Sequence, residues 1–153
     1  MQCSSFAMGL RVSEIVNLKI TDIDSRNKQV SIDRAKGKKD RYVNLPEIIL
    51  DQLREYYKIY RPKKYLFEGQ YGEQYNKRSA QLVFKQALKK ARINKAVGIH
   101  ALRHSYATHL LENGSDIKFI QELLGHNDIK TTLRYTQVSD QSIKKVKSPL
   151  DTL

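Results

Sequence analysis

The chain has 153 residues, 40 % apolar and 29 % charged, the proportions of an ordinary soluble domain with one sizeable core. Lysine and arginine total 28 against 16 acidic residues, a formal charge of +12, which is the footprint of a polyanion binder, nucleic acid above all. A lone Cys3 excludes an internal disulfide, and no apolar run approaches the ~20 residues that span a bilayer, so no membrane partner is expected.

The opening MQCSSFAMGL lacks the basic-then-apolar layout of a signal peptide, and a cytoplasmic, nucleoid-associated protein is the expectation. Ile15, Val16 and Leu18 then lie around a short helix that begins near Ser13. Residues 29–33 alternate as QVSID, 35–39 form a glycine-containing basic turn, and 41–45 read RYVNL. Together they predict a β-hairpin with a positively charged tip, the basic cluster running from Lys36 to Arg41. Asp22 and Asp24 flank a turn just before it.

Pro46 opens a helix whose apolar face is Ile49, Leu53, Tyr56 and Tyr60, and Pro62 ends it. A second helix follows Asn76, with Ala80, Val83, Phe84, Ala87, Leu88 and Ala91 on one side. Residues 101–112 form a third, closed by Asn113 and Gly114 as a left-handed cap. Ser115 or Asp116 caps the next, with the stripe Ile117, Ile120, Leu123 and Leu124, and Gly125 ends it. One more short helix covers 128–135, and a basic tail runs to Leu153. The fold class expected is mainly α with one small antiparallel β-sheet, packed as a compact bundle.

Four words carry chemistry: GLRVSE with Arg11, HALRH with His100 and Arg103, LLGH with His126, and RYT with Tyr135. Each alone is weak, because any helix can hold His-x-x-Arg and Tyr135 is one tyrosine of nine. As an ordered set, with steps of 3, 23 and 9 residues from His100 through Arg103 and His126 to Tyr135, they are specific. They resemble the tyrosine recombinase (phage integrase) family, its Xer-like branch in particular, over residues 6–138.

That resemblance implies cleavage and rejoining of double-stranded DNA through a phosphotyrosine on Tyr135, with no metal, ATP or other cofactor. Attack on a phosphodiester places extra negative charge on the non-bridging oxygens. Arg11 and Arg103 suit those oxygens as bidentate donors that stay charged. His100 and His126 can add hydrogen bonds or assist proton movement. The phenol needs a positive setting, since its free pKa is near 10. By the same resemblance a hairpin lysine, Lys36, protonates the departing 5′ oxygen, with Lys38 and Lys39 close by as phosphate contacts. Glu14 either orients Arg11 or faces solvent as a first-turn helix acid, the solvated role being favoured. His109 is expected to pack or cap within its helix. His104 stands four residues from His100, a metal-sharing spacing, yet no third ligand is near and Arg103 between them repels a cation.

The catalytic domain is expected over 1–138, with 139–153 a tail that docks on a neighbouring protomer or ends the chain as a basic extension. Relatives usually carry a preceding helical DNA-clamping domain. Here the chain starts within the helix leading to Arg11, so that domain is expected to be absent from it. Full-length relatives act as four protomers on two duplexes. Two alternatives stay open: a non-enzymatic regulator using 116–135 as a helix-turn-helix, and a type IB topoisomerase-like relaxase.

Overall fold

A computed structural model describes residues 7–33, 40–126 and 128–133 of the protein. In chain order these form helix α1 (Val12–Asn17), a 3-10 turn (Ile20–Asp22), strands β1 (Ile23–Asp24), β2 (Gln29–Ile32) and β3 (Arg41–Asn44), and five further helices. The helices are α2 (Glu47–Tyr60), α3 (Lys77–Lys90), α4 (His100–Glu112), α5 (Ile117–Leu124) and α6 (Ile129–Leu133). A mainly helical chain with a small antiparallel sheet is thus what is observed.

The sheet runs β1-β2-β3, with one strand more than the alternation announces. β1 is two residues long, too short to leave a periodic signal. The Asp24 carboxylate accepts N–H bonds from Arg26 (3.0 Å) and Asn27 (2.9 Å), which closes the turn into β2. Between β2 and β3, Val30 pairs with Val43 and Ile32 with Arg41. Successive side chains alternate across a sheet, so Val30, Ile32, Val43 and Arg41 share the buried face while Tyr42 and Asn44 face outward. That face packs on Ile49, Leu50 and Leu53 of α2 and on Ile15 of α1 in the main core. Each such aliphatic side chain stabilises the fold by about 1.5–3 kcal/mol on full burial.

α2 starts at Pro46 as expected and stops at Tyr60, where Arg61 turns left-handed (φ 44°) one residue before Pro62. Tyr60 does not reach the core; it is exposed and stacks on Tyr56 with ring centroids 4.7 Å apart. α3 buries Ala80 and Phe84, whereas Val83 and Ala91 are exposed. The strip of α3 that meets Val12, Val16 and Ile99 is narrower than its apolar pattern suggests. α1 is gripped on both sides, Ile15 in the main core and Val12 and Val16 in this second one, and that fixes Arg11 at its N-terminus.

α4 ends as expected. Gly114 is left-handed (φ 81°), its N–H bonds the Leu111 carbonyl and that of Ser115 bonds Leu110. Of the two candidate caps for α5, Asp116 is the one used, accepting from the N–H of Lys118 (2.7 Å) and Phe119 (3.3 Å). α5 closes on Gly125 (φ 64°), with the His126 N–H on the Gln121 carbonyl at 3.0 Å. The same end motif that stops α4 therefore sets where His126 sits.

Candidate active site

The site residues meet at the left-handed end of α5. A helix C-terminus leaves its last carbonyls without intrahelical donors and carries partial negative charge. Three guanidiniums answer that need. Arg41 donates from Nε to the Leu123 carbonyl (2.9 Å), Arg11 from Nη2 to that of Gly125 (3.1 Å), and Arg103 from Nη2 to that of Leu124. Arg103 also donates from Nη1 to the Gly9 carbonyl at 2.7 Å, tying the stretch before α1 to the end of α5. Gly9 is left-handed (φ 59°), and a Cβ there would fall 2.4 Å from the Tyr106 ring, so the close approach depends on glycine.

Like charges this close need a counter-charge, and Glu14 supplies it. Arg41 grips it with a two-pronged fork, Nη1 to Oε1 and Nη2 to Oε2, both 2.9 Å. Arg11 donates its backbone N–H to Oε2 (2.7 Å) and Nη1 to Oε1 (2.9 Å), while Arg103 Nη1 lies 3.7 Å from Oε2. Burial works to raise the Glu14 pKa, but the hydrogen bonds and charge of Arg41, with the Arg11 bonds, hold it below the usual carboxylate value. Glu14 is therefore no solvated helix acid. Of the two roles open to it, the structure shows the one that orients Arg11, and extends it to Arg41 and Arg103.

Arg41 corrects the sequence reading as well. It counted there only as the end of a basic cluster, at the start of the strand RYVNL, yet its side chain is only 7 % exposed. The signal was present: in RYVNL, alternation puts Arg41 on the same face as Val43 and Leu45. Its charge argued for the surface, and its partner Glu14 lies 27 residues away.

Three guanidiniums against one carboxylate leave the cluster net positive. Access to it is uneven. Arg103 is 6 % exposed and Arg11 36 %. Arg11 spends three of its five N–H donors on Glu14, Leu124 and Gly125, so among the described residues two remain for an incoming anion.

His126 lies beside this charge. Burial first, then the charges of Arg103, Arg11 and Arg41, push its pKa down to about 4 against the opposing pull of Glu14, so the ring is neutral at pH 7. Its Nδ1 is 3.0 Å from Oγ1 of Thr132 on α6. His100 is exposed at the first residue of α4, one turn before Arg103. His109 is not packed; it is exposed with Nδ1 3.7 Å from Glu112. Lys36 and Tyr135, together with Lys38, Lys39 and the tail 139–153, lie outside the described residues. Of the six expected site residues the structure thus brings Arg11, Arg103 and His126 together and puts His100 on the helix that carries Arg103.

The sequence profile of the phage integrase family matches residues 3–142. The chain belongs to this family. Tyrosine recombinase XerD of Staphylococcus epidermidis, a relative of this phage integrase family chain, is 39 % identical over 148 residues, 92 % of this chain and 50 % of XerD. In the solved structures, XerA recombinase is similar at a TM-score of 0.82 and 36 % identity, over 92 % of this chain and 52 % of that one. XerH recombinase, solved bound to a palindromic difH substrate in a post-cleavage complex, is similar at a TM-score of 0.82 and 27 % identity, over 96 % and 44 %. This family member spans about half the length of the curated relatives it matches.

Proposed function

We propose that this chain is the strand-transferring part of a site-specific DNA recombinase or integrase, with residues 1–138 its catalytic domain. The observation that carries this reading is the net positive cluster of Arg11, Arg103 and Arg41 around Glu14, beside a neutral His126, in a member of this family. A phosphodiester oxygen entering that cluster meets donors already held in place, which is how developing charge is stabilised without reorganisation.

In the reaction Tyr135 Oη attacks phosphorus, the bond to the 5′ oxygen breaks, and Lys36 delivers a proton to that oxygen. Arg11 and Arg103 hold the non-bridging oxygens through the step. His126 takes part as a neutral donor, because at a pKa of about 4 it carries no second proton to give at pH 7. His100, exposed at the start of α4, accepts the phenol proton as Oη attacks and returns it when Tyr135 leaves. A free 5′ hydroxyl of another strand then attacks the phosphotyrosine and releases Tyr135. The bond energy is kept throughout, so the step needs no ATP. The names of XerD, XerA and XerH support strand transfer over the regulator and relaxase alternatives. The palindromic difH substrate bound by XerH supports double-stranded DNA as the partner. The assembly proposed on it is four protomers joining two duplexes, with the tail 139–153 docking between them. The site of action is nucleoid DNA in the cytoplasm.

A nicked duplex that traps cleavage tests this. The chain is expected to form an SDS-resistant covalent adduct that disappears in Tyr135→Phe. Tight binding without an adduct on any family-type site would sink the reading.

A further inference from the structure

Thr132 stands out among the groups that the proposed chemistry leaves unused. It is the one uncharged polar residue among the fully buried side chains of the described residues, 1 % exposed. A hydroxyl shut away from water must donate its proton to a neighbour or lose a hydrogen bond. A helical threonine usually bonds the carbonyl four residues back, which here belongs to Asp128. No such bond is present. Among the described residues the hydroxyl's partner is His126 Nδ1 at 3.0 Å.

The direction of that bond follows from what each atom can offer. Nδ1 of a neutral imidazole is either an N–H donor or a lone-pair acceptor, and the bond made by one ring nitrogen fixes the state of the other. With no other acceptor for the hydroxyl proton among the described residues, Oγ1–H donates to Nδ1. The single ring proton then resides on Nε2.

We infer that Thr132 is a positioning residue: its buried hydroxyl holds His126 as the Nε2–H tautomer and ties α6 to the end of α5 beside the arginine cluster. The inference rests on the strand-transfer reading for its consequence, since Nε2–H is then the donor His126 presents to a phosphate oxygen. The ring's neutrality, enforced by burial and by the charges of Arg103, Arg11 and Arg41, is what makes its tautomer matter. An imidazolium would donate from both nitrogens whatever Thr132 did.

The experiment has two arms on the full chain. In the first, long-range proton–nitrogen NMR on the DNA-free protein at neutral pH reads the His126 ring. The expected spectrum has the proton on Nε2 and an unprotonated Nδ1; a proton on Nδ1 overturns the inference. In the second, single-turnover cleavage of the nicked duplex compares Thr132→Val with Thr132→Ser. The valine variant is expected to cleave about tenfold slower at unchanged DNA affinity, the size of one lost positioning hydrogen bond. The serine variant, which keeps the hydroxyl, stays close to the wild-type rate. Equal rates for the two variants overturn the inference, and so does a valine effect that persists undiminished in a His126→Phe background, because a residue acting through His126 has nothing left to position there. If Thr132→Val fails to fold, the wild-type spectrum and the serine variant still decide. Failure of the wild type to form any adduct would refute strand transfer while leaving the tautomer measurement to judge Thr132 by itself.

Discussion

Two arginine–carboxylate pairs in this protein have the same N–O distance and different surroundings. Arg41 meets Glu14 at 2.9 Å with the two side chains 7 % and 13 % exposed; Arg54 meets Asp51 on α2 at 2.9 Å with 52 % and 63 % exposed. On α2 the pair is a single bond between neighbours three residues apart, in water and open to salt. At the site the pair is a fork, joined by Arg11, and backed by the Leu123 carbonyl. Distance is therefore a poor guide to what an ion pair contributes. Burial, the number of bonds closed on each ion, and the cost of leaving one ion alone decide it.

Neutralising the buried hub has the largest expected effect. Glu14→Gln leaves three guanidiniums without their counter-charge, and a loss of about 3–5 kcal/mol in urea unfolding is expected. Combined with Arg41→Met in a double-mutant cycle, the pair should show a coupling of about 2 kcal/mol. Near-additive losses would mean that the buried pair behaves like the exposed one. Gly9→Ala attacks the same region through its backbone, since the new Cβ must displace the Tyr106 ring and strain a left-handed residue that holds Arg103. About 2 kcal/mol of destabilisation is expected, with slower cleavage, and a neutral outcome would show that Arg103 does not depend on that carbonyl.

Acid sharpens the contrast further. His126 binds its proton less readily in the folded chain than in the unfolded one, so stability falls as pH drops from 6.5 towards about 4. Glu14, whose folded pKa is lowered from 4.5, stabilises the protein above that value and loses its contribution below it. Unfolding midpoints measured across both windows should fall in two stages, and His126→Gln should remove the first. A wild type whose stability is flat from pH 6.5 to 4.5 contradicts the buried neutral ring. At the other extreme, Arg54→Ala is expected to change stability by no more than about 0.5 kcal/mol, and its cycle with Asp51→Ala to show almost no coupling.

Legibility in the sequence divided along the same line. Features set by neighbours in the chain were readable: the hairpin alternation, the Pro46 start of α2, the glycine ends of α4 and α5, and the spaced words that bear Arg11, Arg103 and His126. Features set by packing were not. Glu14 reads locally as a first-turn acid because Arg41, its strongest partner, reaches it from β3. Tyr60, Val83 and Ala91 share a helical period with buried residues, but periodicity gives the direction of a face and not its width. Thr132 carried no signal in KTTLRYT, since its meaning depends on the ring of His126.

The end of α5 has one more consequence. Residues 123–126 contribute three carbonyl oxygens and an imidazole to the site, and only the last is a side chain. Backbone oxygens survive changes of side chain, so the identities of Leu123 and Leu124 matter for packing more than for the arginines. Length is another matter. One residue inserted or deleted within α5 would swing this end by about 100° and carry all four partners away together. The stretch works as a gauge whose markings can be repainted but whose spacing cannot be altered.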